Sequence, residues 1–405
     1  MTKMRVLQVV KTTDGANWAA RQARILRDLG VEIHVALPAR EGMAMSAWVD
    51  SGAEIHIVDL NLPVRSPTLL PRVLTAARQL VARVSPDLIH SHFVTTTCTL
   101  RLALGKSHGI PRLYQVAGPL HLEHWPSRTF ELSLAGEADY WIPSSRCILE
   151  TYRRHRIPQE KLFLSYYGWF DPDEEFQSHR GELRSLVGAS PKDVIIGNVN
   201  FMYPPKYYLG QTVGLKAHED IIDALGAVIR ENRDVLGVFV GGAWGGARGY
   251  EGRLRKRGLK RGGERIRFTG PLSFTKARAM WEDFDLGIHV PLSENVGGVP
   301  EPLSRGVPVI AGAVGGLPEV VLPGRTGYLV PPRQPRVLAA TIKKVLREPE
   351  HARALAEVGR RLVRTMFDSV RTGTEILDIY RYVLGLQRHP PSPFSSERFV
   401  DSLSG

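Results

Sequence analysis

The stretch PLSENVGGVPEPLSRGVPVIAGAVGGLPE, residues 291–319, places two glutamates, Glu294 and Glu301, on either side of a glycine-bearing turn. The apolar runs 285–290 before the turn and 307–312 after it have the composition of buried strands. In a strand, loop, helix, strand unit, a ligand lies outside the carboxyl end of the strand, where a helix N-terminus favours phosphate. Carboxylates accept charge-assisted hydrogen bonds from sugar hydroxyls. The stretch therefore predicts a site for a phosphorylated sugar.

The bulk composition limits the class of protein. A chain of 405 residues is too long for one ordinary core, so we expect two α/β domains. The two cysteines, Cys98 and Cys147, lack metal-site spacing and indicate a reducing compartment without disulfides. The apolar run before Lys11 is too short for a signal peptide or a membrane span. These features predict a cytoplasmic protein.

The formal charge of +12 raises the question of an anionic partner. The densest basic run, 253–267, carries eight basic residues against one acid and is typical of a solvated helix face. It contains no aromatic residue to stack on bases, so we expect no nucleic acid partner. A second basic cluster, in 146–156, surrounds Ile148, Leu149 and Tyr152. Peripheral contact of this cluster with an anionic membrane remains an open alternative.

Strand-like and helix-like segments alternate along two stretches of the chain. The first series runs from the strand MRVLQVV to about Gly168, and the second begins at the strand VIIGNVNF after Lys192. Such alternation predicts largely parallel sheets covered on both faces. The charged, irregular text between Asp171 and Lys192 indicates the domain boundary. We therefore predict domains at 1–175 and 190–367, with a frayed Pro/Ser-rich tail at 388–405.

A family resemblance enters at ENVGGVPEPLSRGVPVIAGAVGGLPEVVLPGRTGYLVPP, residues 294–332. This text resembles the C-terminal signature of the retaining GT-B glycosyltransferases of family 4, also called group 1. One difference is that six residues separate the two glutamates, where the family pattern has seven. The resemblance implies an α/β GT-B fold, with two Rossmann-like domains facing each other across a cleft. It also implies that a helix at about 368–387 crosses back to the N-terminal domain.

The resemblance assigns donor-binding roles in the second domain. Glu301 should bind the ribose hydroxyls, and Glu294 should contact the transferred sugar and stabilise its developing positive charge. The backbone of Val296, Gly297 and Gly298 should meet the diphosphate.

Two further turns of the second domain should also touch the donor. Gly241 and Gly242 resemble the family's glycine-rich turn, and Thr269 lies in the segment whose backbone usually reads the base. Backbone readout leaves the base open, with uridine favoured.

The leaving diphosphate requires fixed positive charge. Lys216 matches the family's lysine. Asn200 and Phe201 stand where the family has an arginine, so we expect Lys206 to supply the second charge. Because these cations serve the leaving group and no Asp-x-Asp pair stands where a GT-A enzyme binds manganese, the prediction is that no metal ion or cofactor is required.

The N-terminal domain should hold the acceptor. Gly15 matches the position of the family's glycine-rich turn, and Ala117 stands where the family often has a cleft histidine. His121 is the predicted replacement, and His124 belongs to the same loop. His90 and His92 are rival candidates, and their His-x-His spacing lacks a third metal ligand.

The leading hypothesis is a metal-independent, anomer-retaining glycosyltransferase that moves a hexosyl unit from a nucleotide sugar, with a UDP-sugar favoured, to an acceptor hydroxyl. A nucleotide-sugar epimerase or hydrolase on the same fold is one alternative. A catalytically impaired glycan-binding scaffold is another. A lipid-linked saccharide, a surface polysaccharide and a small natural product remain open as acceptors.

Overall fold

The computed structural model describes residues 3–171 and 178–403 and divides into two compact units. The N-terminal unit comprises Met1–Glu174 and Met366–Phe394, and the C-terminal unit comprises Glu175–Thr365 and Ser395–Gly405. Part of the charged segment predicted as the domain boundary, 172–177, lies outside the described residues.

Each unit contains one parallel six-stranded sheet. The N-terminal sheet consists of β1 (Arg5–Val9), β2 (Glu32–Leu37), β3 (Glu54–Ile57), β4 (Leu88–Ser91), β5 (Arg112–Val116) and β6 (Asp139–Pro143). The C-terminal sheet consists of β7 (Val194–Val199), β8 (Val235–Val240), β9 (Ile266–Gly270), β10 (Leu286–His289), β11 (Val309–Gly312) and β12 (Tyr328–Val330). Most strand residues are buried, as expected where helices cover both faces of a sheet.

The helices connect these strands. In chain order they are α1 (Asn17–Asp28), α2 (Met45–Asp50), α3 (Leu70–Val84), α4 (Val94–Leu104), α5 (Leu120–Glu123), α6 (Trp125–Ser133), α7 (Arg146–Arg154), α8 (Glu182–Leu186), α9 (His218–Glu231), α10 (Arg248–Gly262), α11 (Phe274–Ala279), α12 (Pro300–Ser304), α13 (Pro335–Arg347), α14 (Pro349–Met366), α15 (Ser369–Val383) and α16 (Ser396–Ser402).

Both sheets have the strand order of a dinucleotide-binding fold. The N-terminal order is β3-β2-β1-β4-β5-β6, and the C-terminal order, β12-β11-β10-β7-β8-β9, is the same pattern written from the other edge. In such sheets the strand order reverses between two central strands, and ligands bind beyond the carboxyl ends at that switch point. The switch points are β1/β4 and β7/β10. The predicted α/β fold with two Rossmann-like domains is confirmed.

Helix α15 belongs to the N-terminal unit, as the resemblance implied. Its residues Ile376, Ile379 and Tyr380 are buried in the core formed by β1, β2 and α1. Gly373 permits the close approach of α15 to α1, because a Cβ there would lie 2.4 Å from Cγ2 of Ile25.

The two basic clusters have different surroundings. In α10 the basic side chains point outward while Tyr250 and Leu254 are buried, which agrees with a solvated helix face. In α7, however, Ile148, Leu149 and Tyr152 belong to the buried interior. The apolar residues of this cluster are therefore not exposed on the surface of the unit. The amphipathic spacing of α7 reflects core packing instead.

The tail also differs from the prediction. Helix α16 lies within the segment expected to be frayed, and its Val400 is buried. The Ser395 side chain caps the helix by accepting a hydrogen bond from the Arg398 N–H, and Arg325 Nη2 lies 2.6 Å from Asp401 Oδ1. Among the described residues, no helix is both long and apolar enough to cross a membrane.

Candidate active site

The switch point of the C-terminal sheet brings a histidine and an asparagine together. Strand β10 ends at His289, and β7 leads directly into Asn200. Asn200 Nδ2 lies 3.3 Å from His289 Nδ1. Because parallel strands end at the same edge of a sheet, this pair marks the place where a ligand of such a fold is expected.

Two of the residues predicted from sequence meet at this point. Lys216, just before α9, donates a hydrogen bond from Nζ to Oε2 of Glu294, which follows β10. His289 Nε2 lies 3.0 Å from the same oxygen. The other oxygen, Oε1, accepts the Asn295 N–H at 3.1 Å. The shorter turn therefore still places Glu294 beside Lys216, and His289 is an addition that the sequence analysis missed.

The charges in this cluster are fixed by the partners. Burial by itself would raise the pKa of Glu294, but Lys216 and His289 outweigh that effect and hold the pKa far below its usual range. Burial lowers the pKa of His289, against the opposing effect of Glu294. A neutral His289 that donates from Nε2–H to Glu294 and accepts from Asn200 at Nδ1 satisfies both contacts. The cluster thus presents an ionised carboxylate and an ammonium in fixed positions.

Glycines allow the chain to close around these side chains. Gly298 has φ +80°, and a Cβ there would lie 2.3–2.5 Å from three atoms of the His289 ring. Gly315, in the segment GGLPE, has φ +57°, and its Cβ would lie 1.8 Å from the Glu294 carbonyl oxygen. Val296 is buried and Gly297 is partly exposed in the same turn. The backbone of this turn therefore lies directly against His289 and Glu294.

Gly298→Ala is expected to displace His289 and weaken binding of a donor nucleotide by at least about tenfold. The reason is that the left-handed backbone disfavours a side chain and the methyl group overlaps the imidazole. Calorimetric titration with UDP would measure the change. Gly252→Ala is the matched control, because a Cβ there meets nothing within 4 Å. Wild-type affinity in Gly298→Ala would contradict the packing argument.

Glu301 also has a basic partner. It lies in the first turn of α12, and its Oε1 is 3.3 Å from Arg278 Nε. Arg278 comes from α11, and its side chain is largely buried. Each of the two glutamates is thus held by a cation from another segment: Lys216 holds Glu294, and Arg278 holds Glu301. No motif around Arg278 identifies it in the sequence, because the pairing depends on the tertiary fold.

The remaining residues predicted to bind the donor line neighbouring strand ends. Gly241 and Gly242 directly follow β8; a Cβ on Gly241 would lie 2.2 Å from the Asn200 carbonyl oxygen, and one on Gly242 would lie 2.9 Å from Cδ of Pro271. The Thr269 hydroxyl is 3.4 Å from the Gly241 N–H. Lys206 lies in the loop after β7, where its N–H donates to Gln211 Oε1 at 3.0 Å. Within 3–171 and 178–403, no carboxylate forms an ion pair with Lys206.

An aromatic cluster next to these strand ends was also missed. The ring centroids of Phe201 and Tyr203 lie 5.0 Å and 5.2 Å from that of Trp244. Burial, followed by the nearby charge of Glu294, raises the pKa of Tyr203 to about 12. The cluster therefore lies close to the charged site and offers faces on which a base or sugar could stack. Aromatic residues after two successive strands were the sequence signal for it.

The N-terminal unit places the predicted acceptor residues after β1 and β5. Gly15 lies in the turn before α1, and a Cβ there meets nothing within 4 Å, so the local packing does not require a glycine. His121, in α5, has its Nε2 3.4 Å from the hydroxyl of Tyr152 and 3.5 Å from that of Tyr114. Burial lowers its pKa to about 4, so the imidazole is neutral at pH 7. His124 Nδ1 lies 2.7 Å from Ser127 Oγ.

The rival histidines, one in β4 and one just after it, are part of the core. His90 and His92 are fully buried, and His90 Nδ1 lies 2.5 Å from the Tyr380 hydroxyl of α15. Burial lowers the pKa of His90 to about 3. This contact indicates that His90 anchors α15.

A groove of about 460 Å³ lies near the same end of the N-terminal sheet. Its wall is mainly apolar and is formed by the loop after β3 and by helices α4 and α6, with lining residues that include Leu62, Val64, Val94, Cys98 and Phe130. Val64 and Phe130 are exposed, as is Trp125 at the start of α6. Large exposed apolar residues grouped around a groove are typical of a binding surface.

Two family models of glycosyltransferases match this chain. The family model described as "Glycosyl transferases group 1" matches residues 204–362, and the one described as "Glycosyl transferase 4-like domain" matches residues 15–168. The first match includes Lys216, Glu294 and Glu301, and the second includes Gly15 and His121.

Individual relatives and solved structures resemble this chain at low sequence identity. The chain is 24% identical to the alpha-D-kanosaminyltransferase of Streptomyces kanamyceticus over 291 residues, which is 68% of this chain and 71% of that protein. It is 26% identical to D-inositol 3-phosphate glycosyltransferase 2 of Catenulispora acidiphila over 386 residues, 88% of this chain and 87% of that one. Among solved structures, Anabaena HepE in complex with UDP has a TM-score of 0.75 at 21% identity, covering 94% of this chain and 100% of that chain. That structural likeness shows the fold alone.

Proposed function

Because this chain belongs to the group 1 glycosyltransferases, we propose that it transfers a hexosyl unit from a nucleotide sugar, with a UDP-sugar favoured, to an acceptor hydroxyl with retention of the anomeric configuration. The observation that carries the proposal is the cluster of Lys216, Glu294 and His289 at the carboxyl ends of parallel strands. The UDP complex of the similar Anabaena protein supports the choice of donor.

The proposed roles follow from the charges. Lys216 faces the leaving diphosphate and offsets the negative charge that grows as the glycosidic bond breaks. Glu294 stays ionised and stabilises the positive charge that develops on the sugar. Because both charges are held by hydrogen bonds before the donor binds, little reorganisation is needed in the transition state. Arg278, rather than Lys206 alone, is a candidate for the second cation of the site.

The direct test is a mass-spectrometric screen of several nucleotide sugars for binding, followed by an acceptor screen with the sugar that binds. We expect a UDP-sugar to bind and its hexosyl unit to appear on the acceptor. Turnover should persist in excess chelator, since the protein's own cations serve the leaving group. Rapid release of free sugar or of an epimer from the donor alone would instead indicate a hydrolase or an epimerase. Absence of nucleotide binding would overturn the proposal.

Glu301→Ala is expected to raise the dissociation constant for the nucleotide sugar by about ten- to a hundredfold, with a smaller change in kcat. A carboxylate that accepts hydrogen bonds from ribose hydroxyls contributes roughly 1.5–3 kcal/mol. Calorimetry with UDP and steady-state kinetics would separate the two effects. Glu319→Ala, at a nearby partly exposed glutamate, is the control. A fall in kcat alone would assign Glu301 to the chemical step instead.

The apolar groove supports one of the three open acceptor classes. We propose that it holds the hydrocarbon part of a lipid-linked saccharide, because its wall is apolar and includes the exposed side chains of Val64 and Phe130. A polar polysaccharide or a small natural product would leave this surface unused. Burying an alkyl chain contributes about 0.8 kcal/mol per methylene.

Phe130→Asp is therefore expected to raise KM for a lipid-tailed acceptor about tenfold or more, while KM for the same saccharide without its tail stays unchanged. Steady-state kinetics with the two acceptors would measure this difference. Phe399→Asp in the C-terminal unit serves as the control. Equal effects on both acceptors would contradict a tail-binding role.

A further inference from the structure

A second cluster of polar side chains lies in the N-terminal unit, near the amino ends of β2 and β3. Glu32 and His34 belong to β2, and Glu54 and His56 belong to β3. In the parallel register His34 pairs with Glu54, and Ala36 pairs with His56. Because side chains alternate along a strand, all four polar side chains extend from the same face. They gather near the amino ends of the strands, whereas ligands of this fold bind at the carboxyl ends.

The possible ligand atoms of His34, Glu54 and His56 lie within 4.8 Å of one another, and each histidine nitrogen is near a different oxygen of Glu54. His34 Nδ1 lies 3.0 Å from His56 Nε2 and 3.5 Å from Glu54 Oε2, and His56 Nε2 lies 3.6 Å from Glu54 Oε1. Tetrahedral zinc, at about 2.0–2.1 Å from each nitrogen or oxygen ligand, requires ligand atoms separated by about 3.3–3.4 Å. The observed separations lie on both sides of that value. Rotation of the Glu54 carboxylate, so that one oxygen faces both histidine nitrogens, would complete three corners of a tetrahedron.

The outer partners fit the same chemistry. Glu32 Oε1 lies 3.0 Å from His34 Nε2, the ring nitrogen that does not face His56. Arg5 Nε in turn donates to Glu32 Oε1 at 2.6 Å. A carboxylate that accepts from one histidine nitrogen leaves the other unprotonated and orients the ring, as in many carboxylate–histidine–zinc sites. Glu32 therefore prepares His34 Nδ1 to act as a ligand.

The surrounding charges and exposure also suit a divalent cation. Glu32 and Glu54 bring two negative charges, and the basic groups facing the cluster are Arg5 and Arg83. Glu54 is mostly exposed, which leaves an entry path and room for a water molecule at the fourth position.

We propose that His34, Glu54 and His56 form a zinc-binding site that ties the edge strand β3 to β2, with Glu32 as the positioning residue. Nitrogen and carboxylate ligands at these separations favour zinc over magnesium, which prefers octahedral oxygen ligands. The site lies outside the residues proposed for glycosyl transfer and does not depend on that function. Its expected effect is to stabilise the N-terminal unit, because a ligand that binds only the folded state raises stability.

The test uses the full chain carrying Cys147→Ser, since Cys147 is an exposed thiol that could bind zinc by itself. After removal of metal by a chelator, titration with ZnCl2 in competition with a chromophoric chelator should show one zinc ion tightly bound per chain (one tight equivalent). Zinc should also raise Tm. Magnesium should leave Tm unchanged. Glycosyl transfer at 25 °C should persist without zinc, while Tm falls.

Variants distinguish this site from adventitious binding by other histidines. His56→Ala should abolish the tight equivalent, and Glu54→Gln, at an exposed position that folding tolerates, should weaken it at least about tenfold. Glu32→Gln should weaken zinc binding by about 10- to 100-fold, the usual effect of losing such an outer partner. His351→Ala, at an exposed histidine on α14, should bind as the parent does. Unchanged binding in His56→Ala and Glu54→Gln, or no tight equivalent in the parent, would overturn the proposal and leave a plain histidine–histidine hydrogen bond.

Discussion

Lys216→Ala is expected to lower kcat for glycosyl transfer by about a hundred- to a thousandfold, with a smaller change in the dissociation constant for UDP. The ammonium is held against Glu294 before any donor binds. Its interaction with the leaving diphosphate strengthens as negative charge builds there, so its loss falls mainly on the transition state. Single-turnover kinetics together with calorimetric titration of UDP would separate the two quantities.

The same variant should change the pH dependence of the reaction. Lys216 is the strongest of the groups that counter the effect of burial and hold the pKa of Glu294 down. Without the lysine, the pKa of Glu294 rises, so the ionised form is lost at a higher pH as the solution is acidified. The acidic limb of the kcat profile should therefore move to higher pH in Lys216→Ala and stay in place in Lys216→Arg.

Two controls keep the result interpretable. Lys344→Ala removes an exposed lysine of α13 and should leave kcat unchanged. Thermal unfolding of Lys216→Ala distinguishes a catalytic defect from misfolding, because Glu294 loses a partner in that variant. A kcat within a factor of about three of the parent, in a folded protein, would remove Lys216 from the leaving-group role.

The fold was predictable because each of its signals is local. Alternating apolar runs give strands and helices, and Pro300 begins α12 while Gly306, with φ +72°, follows its end. Helix α7 shows what such local signals leave open. Its amphipathic spacing shows that one face is apolar, but spacing cannot say whether that face meets the domain core or a membrane.

The site was predictable only in part, because the missing members come from distant segments. Glu294, Lys216 and Gly298 stand in recognisable motifs. His289, in contrast, appears in the sequence as the last residue of a buried strand, and only the pairing of β7 with β10 places it beside Asn200. Arg278 meets Glu301 through the packing of α11, which no spacing encodes. Family motifs thus identify the residues that we propose face the ligand, while their supporting partners require the tertiary structure.

Glu131→Gln is expected to lower the free energy of unfolding of the N-terminal unit by about 3–5 kcal/mol, the usual cost of breaking a buried ion pair. Arg101 and Glu131 are both buried, and Arg101 Nη1 lies 2.5 Å from Glu131 Oε1. The same oxygen accepts from Trp141 Nε1 at 2.9 Å, and Arg101 Nε reaches Asp139 Oδ1 at 2.9 Å. Arg112 Nη2 also lies 2.7 Å from Asp139 Oδ2, so the network holds two cations and two anions. A neutral glutamine at position 131 leaves it with one excess positive charge. Thermal and urea unfolding would measure the change, which corresponds to a fall in Tm of roughly 10 °C.

The loss should depend on the pairing rather than on the removal of a carboxylate as such. Glu150→Gln breaks an exposed ion pair with Arg153 on α7 and should cost less than about 1 kcal/mol. The double variant Arg101→Met/Glu131→Met removes both charges together. Its loss of unfolding free energy should be smaller than the sum of the losses in Arg101→Met and Glu131→Met, because neither charge is left buried alone. Additive losses in that double-mutant cycle would mean that Arg101 and Glu131 stabilise the unit independently, through Asp139 and Trp141 respectively.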